Sequence, residues 1–318
     1  MSIECAVDKK IICVTGGAGF IGSYLLPVLL SHKNVCVRVL QRTAGTRVLD
    51  QVSAFAGDLH DKDSLAPFLL GADSVINLAL PSVEQGEKSI VAVQNLAQMS
   101  RDAGVRRVIH ISTAMVVGSA ANTCVNEDTL CNPINAYERH KFVAEQVIQQ
   151  ELVGSVDLGI LRPTAVFGAG GKNLLKLAGV IAQGAPWYRL LLRFIHGDRR
   201  MHLVSVDDVV AAIVFLAMDA RSLEGNIFLI SADDEPCNNY QAIDAILGRA
   251  MGKPMPRRSM CLPHWVLRSL LALAGRSQSN PQLIYDSSKL QSWGFQRKTD
   301  FEGDLERFAH NYQAESRS

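Results

Sequence analysis

Long uncharged apolar runs are missing from this chain, as are paired cysteines and basic tracts, and each absence removes a class of protein. No stretch reaches the roughly 18 apolar residues of a membrane-spanning helix. The nearest, residues 261–275 (CLPHWVLRSLLALAG), is interrupted by Arg268. It reads as a helix packed on the protein, with a membrane-surface or partner-facing helix as the other reading. The cysteines number seven, an odd count, and none forms a C-x-x-C pair. That pattern argues against a disulfide framework or a structural zinc site and fits a reducing, cytoplasmic compartment. No metal site is expected. Lys and Arg (32) nearly balance Asp and Glu (31), so nucleic acid is not an expected partner. The first residues mix acidic and basic side chains before any apolar run, unlike a secretory signal. Internal repeats and low-complexity tracts are absent.

What is present is a chain of 318 residues with 48% hydrophobic and 20% charged content, enough for a large self-sufficient core. Short β-branched apolar runs alternate with longer mixed segments. KIICVTG, VCVRVLQR, VSAFAGDL, DSVINLAL, RRVIHIST and VDLGILRPTAVFG read as strands. FIGSYLLPVLLSHK, DKDSLAPFLLGA, residues 90–103 and residues 136–151 read as helices, the first shortened or kinked by Pro27. Strands that are apolar throughout are buried on both faces, as in a parallel sheet. The expected fold is α/β, a Rossmann-type doubly wound parallel sheet with a smaller, interleaved C-terminal portion. A dinucleotide-binding domain is expected over 8–168 and a mainly substrate-binding portion over 169–314. RMHLVSVDDVVAAIVFLA and GNIFLIS are expected to return to the sheet.

VTGGAGFIG concentrates Gly16, Gly17, Gly19 and Gly22 between a predicted strand and a predicted helix. Bare backbone there permits a tight turn and close approach to a pyrophosphate, which the helix N-terminus attracts. The spacing is G-x-x-G-x-x-G rather than G-x-G-x-x-G. Asp58, after the third strand, is a candidate acceptor for the adenine amino group. The second strand ends in Gln41 and Arg42, where an acidic residue commonly grips the ribose of NAD. Arg42 suits a 2′-phosphate, which favours NADP(H) with NAD(H) the other possibility. In YERHK, Tyr137 and Lys141 stand four apart on one helical face. A nearby ammonium and a positively charged nicotinamide both favour the phenolate and bring the phenol toward neutral-pH acid–base work. Ser112 and Thr113 end a predicted strand, where open α/β sheets bind ligands.

Taken together, TGGAGFIG, GDL, NLA, IST…G, YERHK and LRPTAVFG resemble the extended short-chain dehydrogenase/reductases of the NAD-dependent epimerase/dehydratase group. The resemblance spans roughly residues 11 to 168 in the family's order. It implies that Thr113, Tyr137 and Lys141 are catalytic, with Thr113 orienting the substrate oxygen. It implies a cofactor site of Gly16, Gly19, Phe20, Ile21, Gly22, Arg42, Asp58, Leu59, Leu78, Ala79, Ser112, Tyr137, Lys141 and Pro163, with Thr164 beside Pro163. The C-terminal half is similar to bacterial nucleotide-sugar enzymes of surface polysaccharide synthesis, through VFGAGGKNLLKLAGVIAQGAPW, RRMHLVSVDDVVAAI and LIYDSSKL…GF. That likeness implies a nucleotide-sugar substrate whose diphosphate meets Lys172, Asn173 and Arg200, with Arg199 as a substitute. Val117 stands where the family has tyrosine, Ala165 where many sugar epimerases have asparagine, and Met201 where the diphosphate arginine is expected. The reading placed first is an NAD(P)-dependent reductase of a UDP-4-keto-6-deoxy-N-acetylhexosamine. The alternatives are a UDP-sugar 4-epimerase with tightly held NAD and a hydroxysteroid or flavonol-type reductase. A non-catalytic redox sensor or scaffold is disfavoured by the Tyr–Lys pair. A homodimer is a further implication of the family.

Overall fold

A computed structural model describes residues 9–42, 49, 51–79, 87–120, 122–255, 260–275 and 278–316. The chain forms β1 (Lys10–Thr15), α1 (Phe20–Ser31), β2 (Val35–Gln41), β3 (Ser53–Ala56), α2 (Lys62–Leu69), β4 (Ser74–Asn77), α3 (Glu87–Asp102), β5 (Arg107–Ile111), β6 (Cys124–Val125), α4 (Ala136–Leu152), β7 (Asp157–Pro163) and β8 (Ala165–Phe167). It continues through α5 (Leu175–Gln183), α6 (Pro186–His196), β9 (Leu203–Ser205), α7 (Val206–Met218), β10 (Ile227–Ile230), α8 (Tyr240–Ala250), α9 (His264–Leu273), β11 (Ile284–Tyr285), α10 (Ser288–Ser292) and α11 (Phe301–Glu315). Two compact units result: Met1–Thr113, Ala136–Arg162 and Val210–Phe228 form the first, and Ala114–Asn135, Pro163–Val209 and Leu229–Ser318 the second.

Seven strands form one sheet in the order β10-β7-β5-β4-β1-β2-β3. The pairings from β7 through β3 are all parallel. The sequence order reverses between β1 and β4, the switch point where doubly wound sheets open a ligand crevice. The strand interiors are largely apolar because they are covered by helices. Cys13, Val75, Val108 and Leu158 are buried with Phe68 of α2, Leu96 of α3 and Ile148 of α4. Full burial of a side chain such as Phe68 stabilises by about 1.5–3 kcal/mol. Asp61 caps α2 by accepting from Asp63 N at 3.1 Å. Pro27 sits inside α1, which nevertheless continues to Ser31.

The segment VDLGILRPTAVFG departs from its expectation as one strand. Pro163 has no N–H for the ladder. Thr164 N instead bonds Ile230 O at 3.1 Å, and Ala165 N bonds His202 O at 2.8 Å. The chain therefore starts a separate strand, β8, which pairs in parallel with β9. Cys13, Cys124, Cys131, Cys237 and Cys261 are free thiols. Cys36 takes part in a disulfide.

In the second unit, α5, α8 and α11 pack together around Leu177, Ile246, Leu305 and Phe308. Helix α6 joins this core by an unusual face. Arg189 and Arg193, four apart and so on one side, are buried there. Arg189 Nε donates to Asp244 Oδ1 at 2.8 Å and Arg193 Nη1 to Asp244 Oδ2 at 2.5 Å. Further bonds run from Arg189 to Lys253 O and from Arg193 to Gln241 O. Gly248 makes room, because a Cβ there would strike the Arg189 guanidinium.

Candidate active site

The β1–α1 turn is shaped by contacts that only glycine tolerates. Gly16 has φ +70, and a Cβ on it would lie 2.9 Å from Ala79 N. A Cβ on Gly22, in the first turn of α1, would collide with the carbonyl of Gly17. Gly19 N bonds back to Gly16 O at 3.0 Å, and Gly19 stands at the N-cap of α1 with no side-chain cap. The helix end thus keeps its positive dipole and backbone donors for an anion. Phe20 and Ile21 follow, half-buried. Leu78 N bonds Thr15 O at 3.2 Å, which holds the β4 turn of Leu78 and Ala79 against the glycine loop.

Arg42 is exposed at the end of β2. It acts electrostatically on Asp58, beyond β3, so the two candidate cofactor residues come together. Asp58 is occupied locally: Oδ1 accepts from His60 N at 2.9 Å and meets His60 Nδ1 at 2.8 Å. These bonds, led by the backbone one, hold its carboxyl below the usual range. Leu59 is buried, its carbonyl accepting from Asn95 Nδ2 at 3.1 Å.

Beneath this rim runs a polar chain that the motifs did not announce. Thr15 Oγ1 donates to Asn77 Oδ1 at 2.6 Å, and Asn77 Nδ2 donates to His110 Nδ1 at 3.0 Å. The Nδ1 of His110 is therefore an acceptor, and Nε2 carries the proton. Burial, with the Lys141 ammonium nearby, pushes the imidazole down to about 3 and keeps it neutral. In the sequence His110 stands out as a polar residue between two isoleucines of β5.

Strand β5 leads into Ser112 and Thr113, both buried, and α4 brings up Tyr137 and Lys141. Ser112 Oγ has no hydrogen-bond partner among the described residues. Tyr137 shares a hydrogen bond with Thr113 and remains substantially exposed. Lys141 is buried, with Nζ donating to Ile111 O at 3.2 Å. Burial lowers it from 10.5 to about 8, against the pull of Glu145. Glu145 in turn holds Arg162 through Nη2 at 2.6 Å and Nε at 3.0 Å. The expected lowering counts on a bound nicotinamide as well as on Lys141; in the chain alone, burial raises the Tyr137 pKa, and the Thr113 bond only partly opposes it. Lys141 spends one donor on the strand carbonyl and exerts no resolved pull on the phenol, so the chain itself keeps Tyr137 protonated.

The site suits a dinucleotide on two observations: a cradle of backbone that any Cβ would fill, and an orphaned buried hydroxyl at Ser112. No cluster of three or more His, Cys, Asp or Glu suited to a metal occurs among the described residues.

The remaining candidates belong to the second unit. Pro163 and Thr164 are buried at the β7–β8 junction. Lys172 and Asn173 are exposed, and Asn173 Nδ2 donates to Val166 O at 2.6 Å. Arg200 is half-buried with Nη1 on Asp233 O at 2.6 Å. Asn173 Nδ2 and Arg200 Nη1 thus each serve a carbonyl of their own unit.

Among known proteins, the chain is 28% identical over 82% of its length, and 80% of the relative's, to sterol demethylase protein B of Methylococcus capsulatus. It is 26% identical to UDP-glucose 4-epimerase of Vibrio cholerae, over 86% of both chains. Its fold matches the Bordetella bronchiseptica enzyme WbmG, solved in complex with NAD, with a TM-score of 0.74 and 18% identity, over 98% of this chain and 96% of that one. The sequence profile of the NAD dependent epimerase/dehydratase family matches residues 12–231, which takes in the glycine loop, the strand ends and the helix of Tyr137. The chain belongs to the NAD dependent epimerase/dehydratase family.

Proposed function

We propose that this protein is an NAD(P)-dependent oxidoreductase that interconverts a ketone and a secondary alcohol. The observation that carries the reading is the protonated Tyr137, hydrogen-bonded to Thr113 and one helical turn from a buried Lys141 whose pKa falls to about 8. The glycine loop, Arg42 and Ser112 would hold the dinucleotide, whose nicotinamide supplies or accepts the hydride when bound. Tyr137 gives its phenolic proton to the substrate oxygen, and Thr113 orients that oxygen. Lys141, held near neutral pKa, offers its remaining N–H groups to the ribose and steadies the charge on Tyr137 once its proton has left. Arg42 supports NADP(H) as the preferred cofactor through bidentate bonds to a 2′-phosphate.

The substrate that the geometry supports best is an apolar ring alcohol or ketone of the kind that sterol demethylase protein B is named for. Its support is the 28% identity to that protein over most of both chains, together with Asn173 and Arg200, which are expected to meet a diphosphate but bond backbone carbonyls instead. The nucleotide-sugar reading, including a UDP-4-keto-6-deoxy-N-acetylhexosamine reductase, is favoured by exposed Lys172 and by the Vibrio cholerae epimerase, which aligns over most of both chains. The test is turnover with NADPH or NADH on 3-ketosteroids and on UDP-4-keto sugars, for wild type and Tyr137→Phe. Tyr137→Phe is expected to cut kcat by about 10²-fold or more with cofactor affinity kept. Near-normal turnover in the variant would refute the reaction assignment. Turnover of the UDP sugar alone would replace the first substrate class by the second.

A further inference from the structure

Helix α6 is folded inside out. Its charged stripe is interior, with Arg189 4% and Arg193 1% exposed. Its apolar stripe, Trp187, Leu190, Leu191 and Phe194 at the i, i+3, i+4, i+7 spacing of one helical face, stands in solvent. Trp187 is 68% exposed. Helix α9 adjoins it in the same unit: Leu262 N bonds Phe194 O at 2.8 Å, and His264 Nε2 meets Asp198 Oδ1 at 2.6 Å. That helix buries only Leu267 and Leu271, leaving Trp265 73% and Leu273 86% exposed. A soluble surface ordinarily scatters such residues singly; two adjacent helices that both carry them form a patch that calls for an apolar partner.

Charge identifies which partner. No Asp or Glu occurs anywhere from residue 158 through 197 or from 245 through 285, the stretches that hold α6 and α9. The same stretches carry the exposed cations Lys176, Lys253 and Arg268. Asp198, the first acid after α6, is taken up by His264. A second copy of this chain would bring cation against cation at the same face. An anionic lipid surface complements both the charge and the apolar side chains, and tryptophan and tyrosine rings favour the headgroup boundary.

We propose that α6 and α9 form a docking surface for an anionic phospholipid bilayer, which they enter side-on without crossing. No helix among the described residues is long and apolar enough to span a membrane, so the contact is interfacial. The two interior arginines hold α6 in this orientation: Asp244 fixes them inward, which leaves the apolar side no interior to occupy. The proposal is independent of the oxidoreductase reading, because binding is read without turnover.

The test is flotation of the full-length protein with vesicles of phosphatidylcholine alone and of phosphatidylcholine with phosphatidylglycerol. The protein is expected to float with the anionic vesicles, to shift its tryptophan emission to the blue, and to lose binding as salt rises. The triple variant Trp187→Ser, Trp265→Ser, Leu273→Ser removes exposed side chains only, so its melting temperature should match wild type. Its vesicle binding should fall about tenfold or more. Equal flotation of the variant, or none by wild type, would overturn the proposal. Sedimentation showing a wild-type dimer that the triple variant abolishes would overturn it too, by assigning the face to a second copy.

Discussion

Lys141→Met separates what the ammonium does for chemistry from what it costs the fold. The side chain is 9% exposed, and its pKa falls from 10.5 to about 8. That fall corresponds to about 3 kcal/mol by which the folded state disfavours the charged form. Methionine removes the charge and fills a similar space, and it loses one bond to Ile111 O, worth about 1 kcal/mol. Glu145 is not orphaned, because Arg162 holds both its oxygens. At pH 7 the variant is therefore expected to be more stable by about 2 kcal/mol, a rise of roughly 3 °C in Tm for a chain of this size. The pH dependence has a fixed sign. The folded pKa lies below the unfolded one, so the penalty is fully present below about pH 8 and fades as pH climbs toward 10.5. Across that window wild type should gain on the variant by about 3 kcal/mol. Urea unfolding at stepped pH measures the difference, and turnover on the same samples should be lost in the variant. A variant less stable than wild type at pH 7, or a difference flat from pH 8 to 10.5, would refute the reasoning.

Three further outcomes follow from the same geometry. Arg42→Ala should weaken NADPH binding by about 10- to 100-fold, the worth of a charge-assisted bond to phosphate, and leave NADH affinity nearly unchanged in titrations. Asp244→Ala takes the one carboxylate from two buried guanidiniums and should cost about 3–5 kcal/mol in thermal or urea unfolding. Gly22→Val drives side-chain atoms into the Gly17 carbonyl and should abolish cofactor binding in a fluorescence titration while the second unit keeps its structure.

The sheet was legible where neighbouring residues decide the outcome. A glycine loop between an apolar strand and an apolar helix is a local device, and so is a tyrosine four residues before a lysine. Both appear in place, with Ser112 and Thr113 at the end of β5 beside them. Where distant residues decide, local pattern misleads. The apolar stripe of PWYRLLLRFIH has ordinary helical spacing and by that rule belongs inside. Asp244, 55 residues along the chain from Arg189, reverses it. The break after Pro163 depends on the carbonyls of Ile230 and His202, again remote in sequence. At Tyr137, spacing shows Lys141 on the same helical face but not the burial that raises the phenol's pKa in the chain alone.

The Thr15–Asn77–His110 chain has a mechanical consequence. It stitches three adjacent strands together at their carboxyl ends by bonds with fixed direction, each group having one donor or acceptor to offer its neighbour. Apolar strands alone can slide past one another by a residue pair with little loss of contact. These cannot, since a slip would strand a buried amide and a buried imidazole without partners. The polar thread thus acts as an alignment pin, locking the sheet's frame to a single setting beneath the glycine turn.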